Sequence, residues 1–216
     1  MTIHARSLGH ADRFRAHQAL SHAILPAAEA QPVAFYPAGS EIYAQGEAAR
    51  KLYQVAFGCV RIYRMLADGR RQIAAFHLAG DVFGFEADGT HHFFAEAVDA
   101  TGIHAWRHAA NAPESQDVLQ LALLGLVRAQ EHMLVLGRQN AAERVAAFLV
   151  DMAERQGDTR SVDLPMSRTD IADYLGLTIE TVSRVFSRLK QDGIIRLPSL
   201  RSVEMVKWSA LRDMTS

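Results

Sequence analysis

The sequence predicts an α+β protein: an N-terminal β-roll of the jelly-roll type, one long helix, and a C-terminal pair of short helices followed by a β-hairpin. Three observations lead to this prediction. Short apolar runs separated by turn residues recur over residues 32–107, a pattern typical of a double-sheet β domain. A helical apolar period extends over residues 114–137. Two further apolar stripes meet at Gly176, as in two helices joined at a tight corner.

Composition limits the class of protein. The chain has 216 residues, 49% of them hydrophobic, and a formal net charge of −1, which suits two modest domains with separate cores. The single cysteine, Cys59, excludes an internal disulfide framework or a cysteine-ligated iron–sulfur cluster within one chain. The most apolar stretch, residues 118–127, is much shorter than the roughly 20 residues of a membrane span. With no signal peptide visible, we expect a soluble, cytoplasmic protein with no membrane partner.

The order of these patterns predicts the domain organisation. We expect an N-terminal leader over residues 1–31, a β-roll over 32–112, a long helix over 113–138 and a winged helix-turn-helix domain over 139–216. The predicted strands of the β-roll cover residues 33–36, 41–43, 52–57, 60–65, 72–78, 82–83, 93–98 and 103–106. In the last domain, residues 194–196 and 203–206 alternate as two short strands of a wing, and residues 208–214 form a closing helix.

The long helix is predicted to form a dimer interface. Residues at its four–three spacing match the seam of a two-stranded coiled coil, and these are Leu119, Leu123, Leu126, Gln130 and Met133. Leu121 and Leu124 lie off that seam, so the helix is apolar nearly all round. We therefore expect one face to pack on its own β-roll and another on a partner subunit. The alternative is the central core helix of a monomer, because only about three heptads are available.

Residues 167–193 contain the strongest functional signal. Ser167 and Asp170 form a pair resembling a capping box at the start of the first short helix, and Thr178 is placed to cap the second. Between them, Gly176 accepts the backbone angles that other residues resist. This spacing is that of a DNA-binding helix-turn-helix, and double-stranded DNA is therefore the expected partner.

Three exposed side chains on the second helix are expected to read bases. Glu180, Ser183 and Arg184 are three and four positions apart and so project together. Arginine binds the O6 and N7 atoms of guanine, glutamate accepts from the N4 amine of cytosine, and serine serves several base edges. The alternative is an ordinary solvated face with one ion pair. The residues expected to contact DNA phosphates are Arg168, Thr169, Thr178, Thr181, Arg188, Lys190, Arg196 and Arg201.

The sequence E-T-V-S-R at Glu180 to Arg184 resembles the recognition helix of the CRP/FNR family of bacterial transcription regulators, and especially its FNR and FixK branch. Ile179 and Ser183 depart from the cyclic-AMP branch. Gly46-Glu47 and L-A-G-D-V-F-G over residues 78–84 look like the cyclic-nucleotide-binding-like β-roll of that family.

The resemblance runs from about residue 32 to the end of the chain and has functional implications. It implies a homodimer that reads TTGAT/ATCAA-type half-sites and activates genes for microaerobic respiration, denitrification or nitrogen fixation. By analogy alone, residues 156–161 are where RNA polymerase would make contact.

The resemblance also raises the question of an effector. Relatives that bind cyclic AMP place an Arg-Ser pair late in the β-roll to hold the phosphate, and the corresponding positions here are Phe94 and Ala95, followed by Glu96. A phosphate buried among apolar groups would be left without compensating donors. We therefore expect neither a cyclic nucleotide nor any other cofactor.

Two other interpretations remain open. The first is a haem- or nitric-oxide-responsive regulator of the same family, because the chain has ten histidines and histidine is a common axial ligand of haem. The second is a jelly-roll metalloenzyme, but no His-His-Glu ligand set converges in the sequence and the helix-turn-helix would be unexplained. We expect no enzyme activity and no metal: His91, His92, His104 and His108 are predicted to be surface or loop residues, and Cys59 a small core residue.

Overall fold

A computed structural model describes residues 32–107, 115–138, 140–157 and 160–215. The strands are β1 (Ala34–Tyr36), β2 (Glu41–Tyr43), β3 (Lys51–Phe57), β4 (Cys59–Met65), β5 (Arg71–Leu78), β6 (Val82–Phe83), β7 (Phe94–Ala97), β8 (Thr101–Arg107), β9 (Ser161–Asp163), β10 (Ile195–Arg196) and β11 (Ser202–Met205). The helices are α1 (Ser115–Leu136), α2 (Ala141–Gln156), α3 (Arg168–Leu175), α4 (Ile179–Gln191) and α5 (Trp208–Asp213). The expected leader over residues 1–31 lies outside the described residues, as do His108 and the expected junctions at residues 112–113 and at Gln139.

Strands β1 to β8 form two antiparallel sheets, in the orders β1-β8-β3-β6 and β2-β7-β4-β5. The inner faces of these sheets meet in a core that includes Val55, Val60, Phe83 and Ile103. Successive side chains along a strand point to opposite faces, which explains the alternation of apolar residues that the sequence showed. The predicted strand runs coincide with these strands, and the predicted α+β fold class is confirmed.

The second domain packs its helices into a core that continues into the β-roll. Phe148 of α2, Leu175 of α3 and Phe186 of α4 belong to one buried cluster, which also contains Ile73 and Phe76 of β5. Burial of such side chains is the main stabilising term in folding. The shared cluster therefore joins the two domains through apolar contact as well as through charge.

The wing differs from its prediction. The sequence predicted two strands, whereas the structure has a three-stranded antiparallel sheet in the order β10-β11-β9. Strand β9 spans only Ser161–Asp163, with Val162 as its single buried residue, so it left no alternating pattern to detect. Its pairing with β11 is a tertiary effect, in which Val203 lies opposite Val162.

The corner of the helix-turn-helix forms as the sequence predicted. The Ser167 hydroxyl accepts a hydrogen bond from the Asp170 amide, and the Asp170 carboxylate accepts one from the Ser167 amide, a complete capping box. Gly176 follows α3 with φ of 61°, in the left-handed region that favours glycine. Thr178 then caps α4 through a hydrogen bond from the Thr181 amide. Both helix starts are thus fixed by local chemistry.

Helix α1 spans Ser115–Leu136, inside the predicted range of residues 113–138. Its segment Gln116–Leu136 has 21 residues and meets the length and composition of a membrane-spanning helix, the one such segment in the described residues. The comparison with a membrane span in the sequence analysis considered only residues 118–127 and so missed the length of this apolar segment. Apolar helices of soluble proteins also meet these length and composition criteria. The exposed face of α1 is therefore described below.

Candidate DNA interface

The recognition surface lies on the outer face of α4. Glu180, Ser183 and Arg184 are all exposed, whereas Val182 and Phe186 on the opposite face are buried. Because residues three and four apart share one face of a helix, the three polar side chains project together into solvent. The structure thus brings the predicted base-reading residues together on one surface.

Threonine hydroxyl groups order the first turn of this surface. Thr178 Oγ1 lies 3.1 Å from Thr181 Oγ1, and Arg184 Nη2 donates to Thr181 Oγ1 at 3.4 Å. A hydrogen bond from a backbone amide and one from the Thr178 side chain lower the pKa of Glu180. The carboxylate is therefore ionised at neutral pH and offers only acceptors to a base edge.

The predicted phosphate-binding residues lie on α3, at and along α4, and in the hairpin of β10 and β11. Arg188 lies 3.8 Å from Asp192, and Arg196 lies 3.8 Å from Glu204, both as exposed pairs of the kind that contributes little stability. Their guanidinium groups can exchange these partners for phosphates. The remaining exposed members of the set are Thr169, Lys190 and Arg201.

Arg168 has a different environment from the other arginines of the set. Its Cζ atom lies 3.4 Å from the centroid of the Phe186 ring, a stacked cation–π contact. Burial lowers the pKa of Arg168 to about 10, so the side chain remains charged at neutral pH. This contact clamps the start of α3 onto α4 and makes the two helices one unit.

Helix α1 has two different faces. Val118 and Leu121 are buried in a cluster with Leu52 and Trp106 of the β-roll. The opposite face is exposed along its length, with relative exposures of 58% for Leu119, 51% for Leu123, 53% for Leu126, 62% for Met133 and 73% for Leu134. Gln130 is exposed on the same face. The five predicted seam residues therefore remain uncovered within one chain.

A cavity of about 630 Å³ lies between the β-roll, α1 and the second domain. Its β-roll side includes Phe83, Phe85, Phe93 and Glu86. Phe94 and Ala95, where the sequence placed the phosphate positions, lie on β7 and are not among the lining residues; Ala95 is completely buried. The β-roll side of the cavity is therefore largely apolar and aromatic, with Glu86 as its carboxylate.

His132 of α1 faces the same cavity. Its ring stacks on Tyr174 of α3, with centroids 3.9 Å apart and planes 14° apart. Burial lowers the pKa of His132 to about 4, although the negative charge of Asp151 opposes the shift. The imidazole is therefore neutral at physiological pH and serves as an aromatic contact between α1 and α3.

Histidine and cysteine residues elsewhere have structural partners. His92 Nε2 lies 3.0 Å from Asp88 Oδ2. Together with Glu86 these residues form a group of three side chains, with one potential metal-ligand atom from each lying within 4.8 Å of the others. The prediction of surface or loop histidines is wrong for His104, which is partly buried in β8. His91 lies outside the strands but is buried, and its ring centroid is 3.6 Å from that of Tyr43. Cys59 is completely buried, and burial raises the pKa of its thiol, so the thiolate form needed for redox chemistry is suppressed.

Charged residues that join the two domains were missed by the sequence reasoning. Asp81, in the turn between β5 and β6, accepts hydrogen bonds from Arg155 of α2 at 2.7 Å and from Arg128 of α1 at 3.0 Å. Arg61 and Arg71 of the β-roll contact Asp170 of α3. These partners lie far apart in the sequence, and no local pattern distinguishes them from solvated charges.

Two family models match the chain. The Crp-like helix-turn-helix domain matches residues 143–214, which contain α3 and α4. The cyclic nucleotide-binding domain matches residues 33–106, which contain the β-roll.

Several curated proteins and solved structures are similar over most of the chain. The nitrogen fixation regulation protein FixK of Rhizobium meliloti strain 1021 is 56% identical over 182 residues, spanning 84% of this chain and 86% of that protein. FixK of Azorhizobium caulinodans is 45% identical over 195 residues, spanning 85% and 79%. The structure of FixK2 from Bradyrhizobium japonicum superposes with a TM-score of 0.80 at 41% identity, covering 86% of this chain and 98% of that one. These relatives are regulators rather than enzymes, as the sequence predicted.

Proposed function

The chain belongs to the FixK-type transcription regulators of the CRP/FNR family, and on that premise we propose that it is a dimeric, sequence-specific activator that binds DNA without a small-molecule effector. The observation that supports this most strongly is the polar face of α4, where a carboxylate, a hydroxyl and a guanidinium group project together. These groups are matched to base edges in the major groove.

The half-site assignment follows from the chemistry of that face. Arg184 is ordered by Thr181 and binds guanine through its O6 and N7 atoms, while ionised Glu180 accepts from the N4 amine of cytosine. The half-site TTGAT contains both a guanine and, on the complementary strand, a cytosine. We therefore assign TTGAT/ATCAA-type palindromes as targets, with the surrounding arginines and threonines on phosphates.

Dimerisation is supported by the exposed apolar face of α1. An apolar stripe of this length is unfavourable in water, and a second copy of the same helix covers it under twofold symmetry. Two recognition helices are then presented to DNA, and palindrome reading requires them to lie about one helical turn, roughly 34 Å, apart.

Independence from an effector is supported by the wall of the cavity. A cyclic phosphate placed against Phe83, Phe85 and Phe93 would lie beside the Glu86 carboxylate, which repels it. Arg128, Arg138, Arg155 and Arg212 line the other side of the cavity, and Arg128 and Arg155 are both hydrogen-bonded to Asp81. The phosphate positions of the cyclic-AMP relatives, Phe94 and Ala95, offer no side-chain donor, which is unfavourable for a buried phosphate.

The cellular role is proposed from the relatives. The FixK relatives are nitrogen fixation regulation proteins, and we assign this chain to the activation of genes for nitrogen fixation, denitrification or microaerobic respiration. Activation requires RNA polymerase, and we retain residues 156–161 as the contact. Residues 158–159 of that segment lie outside the described residues. Such a role is cytoplasmic.

Footprinting tests this function. The full chain, with no added ligand, is expected to protect a TTGAT/ATCAA palindrome at concentrations that leave a scrambled duplex unprotected. Millimolar cyclic AMP should change neither the protection nor the thermal stability. A tenfold rise in affinity with cyclic AMP would correspond to about 1.4 kcal/mol of coupling and would contradict the effector-free mechanism. Absence of protection under both conditions would contradict the DNA target itself.

A further inference from the structure

Polar side chains on the β-roll hold the first helix of the helix-turn-helix. Arg61 of β4 donates from Nη1 to Asp170 Oδ1 at 3.1 Å, and Arg71 of β5 donates from Nη2 to the same oxygen at 2.5 Å. Arg71 also donates from Nε to Asp173 Oδ2 at 2.8 Å. Gln72 donates from Nε2 to the Asp173 carbonyl oxygen at 2.6 Å. We name these five residues the α3 latch.

Asp170 has two structural roles. Its Oδ2 atom accepts from the Ser167 amide at 3.0 Å and from the Ser167 hydroxyl at 2.8 Å, which begins α3. Its Oδ1 atom faces the two arginines of the β-roll. Asp170 is only 4% exposed, and removing one partner of a buried charge costs far more than breaking an exposed pair. The residue that starts α3 is therefore also its anchor on the β-roll.

A second polar contact between the domains holds different helices. Asp81 accepts from Arg155 of α2 and from Arg128 of α1, and Arg155 also donates to the Phe76 carbonyl oxygen at 2.8 Å. Asp81 thus holds α1 and α2, while the α3 latch holds α3 itself. Since Arg168 stacks on Phe186, α4 follows any movement of α3.

We propose that the α3 latch positions the recognition helix for binding to palindromic DNA, so that the β-roll acts as a fixed platform rather than a ligand-operated one. Asp170 is buried against the β-roll while Glu180, Ser183 and Arg184 remain exposed, so the latched arrangement leaves the reading face free. A shift of α3 on the β-roll moves α4 relative to α1, and hence relative to the recognition helix of the second copy. This inference rests on the proposed function.

The first test compares Arg71→Ala with Arg70→Ala on a full palindrome and on a duplex with one half-site. Arg70 is a matched control because it pairs with Asp68 within its own hairpin, where both side chains are exposed. We expect Arg71→Ala to weaken palindrome binding by at least about tenfold, within the usual range of coupling between sites, and to change half-site binding little. Arg70→Ala should change neither. Unchanged or tighter palindrome binding by Arg71→Ala, or equal loss on both duplexes, overturns the proposal.

The second test needs no DNA. Gln191→Cys places a spin label on an exposed residue at the end of α4, while Cys59 is buried and unavailable to the reagent. Pulsed electron–electron double resonance spectroscopy then measures the distance between the spin labels of the two protomers. We expect a narrow distribution for the labelled protein and for its Arg70→Ala variant, and a broader or displaced one for Arg71→Ala. Identical distributions overturn the latch, whereas absence of any interprotomer distance overturns the dimer and with it the proposed function.

A charge exchange separates pairing from general loss of stability. Arg71→Asp and Asp173→Arg should each weaken palindrome binding, because each removes the hydrogen-bonded pair and introduces repulsion. The double variant restores an opposite-charge pair between positions 71 and 173 but leaves a carboxylate at position 71 facing Asp170, so it should recover part of the affinity lost in either single variant. No recovery in the double variant, with thermal unfolding unchanged, shows that the pairing does not position α3.

Discussion

The exposed faces of α1 and α4 differ in their chemistry. On α1 the exposed side chains are mainly apolar, with Leu123 at 51% and Met133 at 62% relative exposure. On α4 they are mainly polar or charged and include Glu180 and Arg184, while Phe186 on the other side is buried. Each helix therefore packs one face on its own chain and leaves the other uncovered.

This difference shows that exposure alone does not define a binding surface. An apolar face is unfavourable in water and fits another apolar face, whereas a polar face is stable in water and available to base edges. In the proposed dimer, a second copy of the chain covers the apolar face of α1. The following experiments change one face at a time.

Charges on the apolar face of α1 should have the largest effect. Leu123→Glu with Leu126→Glu buries two unpaired carboxylates in the proposed interface, which is strongly unfavourable. We expect a monomer by analytical ultracentrifugation and a loss of palindrome affinity of about 100-fold or more, because linked half-sites contribute avidity. Gln120→Glu, an exposed position beside that face, is the control and should retain the dimer. A double variant that remains dimeric would place the interface elsewhere.

Removing the guanidinium group from the polar face of α4 should act on specificity. Arg184→Ala is expected to cost about 1–3 kcal/mol on the cognate duplex and far less on a scrambled one. Arg188→Ala, which removes a phosphate contact, should weaken both duplexes and lower the salt slope by about one unit. Binding measured across a salt series distinguishes the two outcomes. Equal losses on both duplexes for Arg184→Ala would reassign that residue to the DNA backbone.

Glu180→Ala should have a smaller effect, on base discrimination rather than on affinity. The ionised carboxylate offers only acceptors to DNA and repels nearby phosphates. Its removal should relax discrimination at the paired cytosine while scarcely weakening binding to random sequence. Competition with a panel of singly substituted half-sites measures this. Unaltered discrimination at every position would remove Glu180 from the base-reading set.

The buried side of α1 should show a modest pH dependence. The pKa of His132 is lowered to about 4 from an ordinary value of 6.5, so the unfolded chain binds a proton more readily than the folded one between these values. Stability contributed by the neutral ring is present above about pH 6.5 and is lost as pH falls towards 4. His132→Phe keeps an aromatic ring against Tyr174. It should reduce the pH dependence of the free energy of unfolding, measured with urea, between pH 6.5 and 4.5, while His92→Gln should leave that dependence unchanged. Parallel curves for the original chain and His132→Phe would contradict this assignment.

The parts of the fold with local signals were predictable from sequence. The capping box at Ser167 and Asp170, the corner at Gly176 and the cap at Thr178 depend on residues a few positions apart, and all were recovered. The strands of the β-roll were recovered for the same reason, since apolar alternation and turn residues mark them directly.

Long-range contacts were not predictable. Arg61 and Asp170 are 109 positions apart, and Arg155 and Asp81 are 74 apart; in the sequence these look like ordinary surface charges. Strand β9 was missed because its pairing partner, rather than its own residues, makes it a strand. The exposure of Glu180, Ser183 and Arg184 was predictable from the sequence, whereas the contacts between α3 and the β-roll required the structure.

The ratio of specific to non-specific DNA affinity is the most direct test of effector-free, sequence-specific binding. Full-length protein with no added ligand is titrated onto a TTGAT/ATCAA palindrome and onto a scrambled duplex of equal length at one fixed salt concentration. The polar face of α4, presented twice by the dimer, predicts a ratio of about 10³ or more, as is usual for specific regulators. A ratio near one would contradict effector-free, sequence-specific recognition by this chain.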